Sequence, residues 1–361
     1  MKSIPERVGP RRGRMLRALT ASAAAAMLLL TSACASSGGG GGESGDGLVH
    51  MDVGVFPIVT WLPDQVASNQ GFFRDNGLDV TLVGPSMAGP TAFALMSSNK
   101  LQAYAQDYLT VYLAISQGNE VKISACQAPG SVYVWVARTD IGLPTSGDFE
   151  EKVLALKGKK VGVTALGAGT DRMMTTAAAA VGMSDTDVNR IGVGAPDAAA
   201  SQMKAGAIDA YVTGSISGAL AVAESVGDGK AAVYLQANDP TAPDTIRLFD
   251  SIGWMMPAQW AEDNPDTVAA YRKSLQQAVQ WIKDNPDEAA DLMSRVMLGG
   301  AQLDLAKESV ASFTKDYIDP DPTLSCSPEP FAATDSVFEQ FDLGPMDNLG
   351  FDKVTLPSAR E

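Results

Sequence analysis

Residues 51–83 read MDVGVFPIVTWLPDQVASNQGFFRDNGLDVTLV and predict a strand, a helix and a second strand in succession. The apolar run at 51–59 has the length of a buried strand. Pro63 favours the first turn of a helix, and Gly71 favours its end. Residues 78–83 predict the second strand. This order is typical of an α/β protein, in which helices connect and cover parallel strands.

The same alternation continues through two halves of the chain. The first half has further predicted strands at 101–105, 121–125 and 131–137. A polar stretch at 138–148 interrupts the pattern. The second half has predicted strands at 159–164, 190–193, 208–212 and 231–235, with helices between them.

A predicted strand at 251–256 returns to the first half, and the remainder is predicted to be helical. We therefore expect lobe 1 to contain residues 48–138 and 251–361, and lobe 2 to contain residues 139–250. Two connecting segments between two α/β lobes make a hinge. The cleft between such lobes can enclose a ligand.

The N-terminus is typical of an exported protein. Residues 2–17 carry six Lys and Arg, and residues 18–30 are uncharged and too few to span a bilayer. The sequence Leu30-Thr31-Ser32-Ala33-Cys34 resembles the lipobox of bacterial lipoproteins. That resemblance implies removal of a signal peptide at 1–33, lipidation of Cys34 and an anchored protein on the extracytoplasmic face of the membrane. The alternative is cleavage nearby and a free soluble protein.

Residues 34–47 are rich in Gly and Ser and predict a flexible tether. Without residues 1–33, the chain has 21 Lys and Arg against 41 Asp and Glu, a net charge of −20. This acidity argues against nucleic acid as a partner, because phosphate binding requires a basic surface. The acidity does not identify a ligand.

Two cysteines remain after Cys34, namely Cys126 and Cys326. An exported protein can form a disulfide between them, and closing so long a loop stabilises a fold by roughly 4 to 5 kcal/mol. Two buried free thiols are the alternative. We expect the disulfide, because Cys326 lies in a proline-rich segment with few other anchors.

Four segments resemble the nitrate, sulfonate and taurine solute-binding family, which also contains binders of thiamine-pyrimidine precursors. They are QGFFRDNGLDV at 70–80, LKGKKVGV at 156–163, the stretch from Gly182 to Ala210 that contains AGAIDA, and NPDEAA at 285–290. The resemblance implies a type II periplasmic-binding fold that delivers a solute to the permease and ATPase of an ABC importer. The expected state is a monomer. Each segment also has a structural explanation as a turn or core element.

The candidate ligand-binding residues lie in loops after the predicted strands, except Trp254, which is an aromatic residue of the predicted strand at 251–256. In open α/β sheets, ligands bind at the carboxyl ends of strands, where helix N-termini offer N–H groups. In lobe 1 the candidates are Trp61, Ser86, Met87, Thr91, Asp107, Tyr108 and Trp254. In lobe 2 they are Thr164, Gly167, Gly169, Thr170, Asp171, Thr213 and Ser215. The two tryptophans can equally be core residues, and the two aspartates can equally cap or stabilise helices.

The sequence favours a binding protein over an enzyme. His50 is the only histidine and precedes the first strand, so histidine-based catalysis and His-rich metal sites are not expected. No cofactor is predicted. Trp61, Asp107 and Trp254 favour a pyrimidine-type ligand, whereas the loop at 167–170 favours an oxyanion. A ligand-sensing or adhesion lipoprotein, and a pyrimidine-precursor enzyme, remain as alternatives.

Overall fold

The computed structural model describes residues 47–84, 89–127, 129–249, 251–300 and 302–360. The predicted signal peptide, Cys34 and nearly all of the tether lie outside these residues. The described strands are β1 (Val49–Gly54), β2 (Leu78–Val83), β3 (Ala103–Asp107), β4 (Val121–Cys126), β5 (Val134–Arg138), β6 (Lys160–Val163), β7 (Asn189–Gly192), β8 (Ala210–Thr213), β9 (Ala231–Gln236) and β10 (Ile252–Pro257).

Helices connect and follow these strands. They are α1 (Leu62–Asn69), α2 (Phe72–Asp75), α3 (Gly89–Ser97), α4 (Tyr108–Ser116), α5 (Phe149–Leu154), α6 (Gly169–Ala180), α7 (Pro196–Lys204), α8 (Ile216–Val226), α9 (Asp244–Arg247), α10 (Ala258–Asp263), α11 (Pro265–Asp284), α12 (Pro286–Met297), α13 (Leu303–Phe313), α14 (Pro328–Gln340) and α15 (Phe351–Val354). A π turn at Thr314–Ile318 continues α13.

The strands form two five-stranded sheets built on one plan. The first sheet has the order β2-β1-β3-β10-β4, and the second has the order β7-β6-β8-β5-β9. In each sheet the fourth strand is antiparallel to both of its neighbours, and the pairs formed by β1 and β6 are parallel. The predicted α/β architecture with two lobes is confirmed.

The chain passes between the two sheets twice. Residues 127–133 connect β4 to β5, and residues 237–251 connect β9 to β10. The predicted return of the strand at 251–256 to the first sheet is confirmed, because β10 pairs with β3 and β4. Two connections between lobes are the arrangement that a hinge requires.

The prediction that the strand at 131–137 belongs to lobe 1 is wrong. Strand β5 pairs antiparallel with β8 and β9 in the second sheet. Its apolar sequence predicts a strand but does not determine which sheet it joins. Consequently the chain leaves the first sheet after Cys126, about ten residues earlier than expected.

Local sequence explains the ends of the first helices. Gly71 and Gly77 have φ of +81° and +83°, a region that glycine adopts without the steric cost that other residues pay. Gly71 separates α1 from α2, and Gly77 turns the chain into β2. Phe73 is buried between them and stacks on Tyr271 of α11 at 5.6 Å between ring centroids.

Candidate functional site

The two sheets meet around a small void at the carboxyl ends of β1 and β8. Its volume is about 10 Å³, which is about the space that one water molecule requires. Residues from both lobes, from the first connecting segment and from the end of α13 line it. They are Val59, Thr60, Ser131, Val132, Val134, Gly214, Ser215, Ile216, Gln236, Ser312, Phe313, Asp316 and Tyr317.

A wider cavity of about 750 Å³ lies next to the void and shares Gln236, Ser312 and Asp316 with it. Its other charged lining residues include Lys152 and Lys315. The shared residues indicate that the wider cavity is the outer part of one site. A small molecule that reaches the void can therefore extend outward into a larger, more polar space.

The N-terminus of α8 forms the lobe 2 side of the void. Ser215 is its N-cap, and the Ser215 side chain accepts a hydrogen bond from the Gly218 backbone N–H at 3.1 Å. A Cβ atom at Gly218 would lie 2.5 Å from Oγ1 of Thr213, so only glycine allows this close packing. The first N–H groups of a helix have no partner inside it, and Ile216 at the start of α8 lines the void, so these groups are candidate donors to a ligand acceptor.

Buried polar atoms without partners cluster on the lobe 1 side. Within the part of the chain that the structure describes, Oγ of Ser131, Oε1 of Gln127 and Nε1 of Trp61 have no hydrogen-bond partner. Ser131 is 2% exposed and lines the void. Gln127 donates from Nε2 to the carbonyl of Thr60 at 3.3 Å. Such atoms are uncommon in folded proteins and require an explanation, for which a bound polar ligand is suitable.

Helix α13 and the π turn close the site from a third direction. Helix α13 contacts α12 of lobe 1 and α8 of lobe 2, so it bridges both lobes. The Tyr317 hydroxyl donates to the carbonyl of Ser131 at 3.0 Å. The Ser312 hydroxyl donates to Oδ2 of Asp316 at 2.9 Å. Single π turns inside helices occur frequently at functional sites.

A disulfide fixes the segment after the π turn to the end of β4. Cys126 and Cys326 are bonded, with their Cα atoms 5.1 Å apart. The Cys126 backbone N–H also donates to the carbonyl of Leu324 at 3.0 Å. The segment that follows the π turn is therefore held beside the residues that begin the first connecting segment.

Of the lobe 2 candidates, only Ser215 lines the void. Thr213 is buried next to Gly218. The hydroxyls of Thr164 and Thr170 bond each other at 2.8 Å. The Asp171 carboxylate forms an ion pair with Arg190 at 2.5 Å and accepts a hydrogen bond from the Gly167 backbone N–H at 2.7 Å. Gly169 is the first residue of α6. Gly167, Asp171 and Arg190 line a separate groove of about 470 Å³ with Phe341 and Leu343.

The lobe 1 candidates are dispersed. Trp61 is buried and lies 5.4 Å from the Tyr104 ring, beside Thr60 of the void. Asp107 is the N-cap of α4 and accepts from the Thr110 backbone N–H at 2.7 Å. Tyr108 is buried and stacks on Phe331 at 4.2 Å, and Thr91 is exposed on α3. Ser86 and Met87 lie outside the described residues.

The expectation that Trp254 stacks on a ligand is not consistent with its position. Trp254 is 0% exposed, and its indole N–H donates to Oδ2 of Asp64 at 2.9 Å. The Tyr271 hydroxyl donates to Oδ1 of the same carboxyl at 2.5 Å. Burial raises the pKa of Asp64 to about 6, although the two hydrogen bonds lower it. Strand β10 is covered on both faces, so an aromatic residue there packs in the core.

Sequence reasoning did not identify Gln127, Ser131, Ser312, Asp316 or Tyr317. Gln127 lies between two predicted strands of lobe 1, and Ser131 begins the second of them. The last three lie in a region for which only helical structure was predicted. The only local sign of a polar site in that region was the presence of Ser312 and Thr314 at the end of α13. Their convergence depends on the crossing of the chain between sheets, which no local pattern encodes.

Neither a metal cluster nor a membrane-spanning helix occurs in the described ranges. No group of three or more His, Cys, Asp and Glu side chains in these ranges could hold a metal ion. No helix within them has the length and apolar character needed to cross a bilayer.

Comparison with known proteins identifies a matching family and several structures of similar architecture. The family model described as NMT1/THI5 like matches residues 60–289. No curated protein matches the sequence. The periplasmic aliphatic sulphonate binding protein SsuA from Escherichia coli is similar, with 15% identity and a TM-score of 0.64 over 82% of this chain and 94% of that chain.

Two further structures have the same fold. The alkanesulfonate-binding protein SsuA from Xanthomonas axonopodis pv. citri, bound to MOPS, is 15% identical, with a TM-score of 0.63 over 86% of this chain and 97% of that chain. A Candida albicans protein with the generic periplasmic binding protein fold is 14% identical, with a TM-score of 0.60 over 81% of this chain and 90% of that chain. The predicted periplasmic-binding fold is therefore confirmed.

Proposed function

Because the chain belongs to the NMT1/THI5-like family, we propose that it is the solute-binding component of an ABC importer. It would capture a small molecule between its two lobes, without chemical change, and deliver it to a permease and its ATPase. The ligand would occupy the void beside Ser131 and Ser215 and extend into the outer cavity. The partners are therefore a small solute and the membrane subunits.

One observation carries this proposal. The Ser131 hydroxyl is buried, lies at the meeting point of the lobes and has no partner among the described residues. An unpaired buried hydroxyl costs roughly 1 to 3 kcal/mol. A ligand that bonds to it removes that cost. The interlobe position explains why a ligand would favour closure, since only the closed form brings Ser131 and Ser215 to one molecule.

Closure would use the two connecting segments at 127–133 and 237–251 as a hinge. Each lobe has its own sheet, and the segments are the two places where the chain passes between the sheets. We assign residues 48–126 and 252–361 to lobe 1, and 134–236 to lobe 2. Helix α13 contacts both lobes and would have to release one of them when the cleft opens.

Binding rather than catalysis is supported by the position of His50. It is the second residue of β1, and its imidazole lies 3.3 Å from Asp79 and 3.5 Å from Asp52. The void lies at the opposite, carboxyl end of β1. The sole histidine of the sequence is therefore not positioned to act on a ligand there.

Export and lipidation at Cys34 complete the proposal. An anchored binding protein of this kind would act as a monomer on the extracytoplasmic face, with residues 34–47 as its tether. Mass spectrometry of the protein recovered from membranes should find an acylated Cys34 as the first residue. A Cys34→Ala variant that stays in the membrane fraction to the same extent would contradict the anchor.

The test is a thermal-shift screen of the purified protein against sulfonates, nitrate, amino acids and pyrimidines. A ligand at 100 times its Kd stabilises the folded state by about 2.7 kcal/mol. Ser131→Ala should weaken binding of the active compound about tenfold, and it should not destabilise the free protein, because it removes an unpaired hydroxyl.

Ser309→Ala is the matched control. This buried serine donates to the carbonyl of Leu305 within α13 and is not among the residues that line the void. It should lower stability slightly and leave binding unchanged. If no compound shifts the melting temperature, or if Ser131→Ala binds like the wild type, the proposal is wrong.

A further inference from the structure

The π turn places one carboxylate at the boundary between the void and the outer cavity. Asp316 lines both spaces. Its Oδ2 accepts a hydrogen bond from the Ser312 hydroxyl, and within the described ranges no Lys, Arg or His lies within 4.0 Å to form an ion pair with it. The other carboxylate oxygen remains available to a ligand.

The described residues that line the void include no lysine or arginine. Lys152 and Lys315 line the outer cavity and not the void. An anionic group in the void would therefore meet the charge of Asp316 without a compensating cation. A positively charged group would find a partner in the partly buried carboxylate of Asp316, with which it could form a charge-assisted hydrogen bond.

The N-terminus of α8 is the competing influence, because helix N-termini attract anions. Its partial charge is about half an elementary charge, whereas a carboxylate carries a full one. The N–H of Gly218, in the first turn of α8, is already bonded to the Ser215 side chain. The acidic group therefore dominates, and the remaining N–H groups suit an uncharged acceptor on the same ligand.

We infer that Asp316 is the specificity-determining residue of the site and selects a ligand with a protonated amine or amidine nitrogen. This inference rests on the proposed function and deepens it. Asp316 lies beyond residues 60–289, which match the family model, so this selectivity would come from an element outside the matched region. Ser131, which lines the same void, would accept a hydrogen bond from the same ligand group.

The experiment compares two compound panels on the purified protein by thermal shift, followed by calorimetry. One panel contains primary amines, amidines and aminopyrimidines. The other contains sulfonates, carboxylates and nitrate. The expected result is stabilisation by a member of the first panel, with Kd raised tenfold to a hundredfold in Asp316→Asn, as for loss of a charge-assisted hydrogen bond.

Asp304→Asn is the matched control, because Asp304 is an exposed acid at the other end of α13. It should bind like the wild type. Asp316→Ser serves as a second variant, and both variants are first compared with the wild type by melting without compound.

Two results overturn the inference. If an oxyanion stabilises the wild type, or if an amine binds equally well to both Asp316 variants, Asp316 does not select the ligand, while the proposed binding function stands. If neither panel stabilises the wild type, the binding function fails, and the inference fails with it.

Discussion

The buried carboxyl of Asp64 should make the stability of the protein depend on pH in a specific window. Asp64 is 0% exposed, and its pKa is raised from 3.8 to about 6, mainly by burial. The folded protein therefore holds this proton more tightly than the unfolded chain does. The resulting stabilisation is fully present below about pH 4 and is lost as the pH rises through 6.

The magnitude follows from the difference between the two pKa values. One pKa unit corresponds to about 1.4 kcal/mol, so a change from 3.8 to about 6 corresponds to about 3 kcal/mol. About 2 kcal/mol of this lies between pH 4 and pH 7. Asp64→Asn does not titrate. Its free energy of unfolding should therefore rise by about that amount relative to the wild type over the same pH range.

Guanidinium unfolding of both proteins at pH 4, 5.5 and 7 measures this difference. The comparison isolates Asp64, because the other carboxyl groups are common to both proteins. Asp75→Asn, an exposed acid on α2, is the control and should stay within about 0.5 kcal/mol of the wild type. A difference between wild type and Asp64→Asn that is constant with pH would refute the burial of this carboxyl.

A double variant and a single variant, the latter with a control, test the structure around the site. The double variant Cys126→Ser with Cys326→Ser opens a loop with a sequence separation of 200. Its free energy of unfolding should be lower by roughly 5 kcal/mol. An unchanged denaturant midpoint under oxidising conditions would contradict the disulfide. Gly218→Ala places a Cβ atom 2.5 Å from Thr213 and should cost about 1 to 3 kcal/mol. Gly214→Ala meets nothing within 4 Å and should cost less in the same melting experiment.

The sequence predicted the elements of the fold well because their signals are local. Buried strands are short apolar runs between turn residues, and β2 at Leu78–Val83 has the predicted bounds. Positive φ at Gly71 and Gly77 requires the residue type found there. The return of β10 to the first sheet was predicted from the order of elements along the chain.

The membership of β5 and the members of the site could not be predicted in this way. Strand β5 pairs with β8 and β9, which follow it by about 70 and 100 residues, and no local pattern encodes such pairing. The loop rule for α/β sheets located Ser215 but not Ser131, because Ser131 lies in the connecting segment. Trp254 lies in the predicted strand at 251–256, and the sequence did not show that both faces of this strand are covered.

A crystal structure of the protein with the first stabilising compound tests the central claim most directly. We predict that the compound lies between the lobes, hydrogen-bonded to the Ser131 hydroxyl and in contact with Ser215 and Asp316. Binding in the groove beside Asp171 and Arg190, or on the outer surface of one lobe, would contradict it.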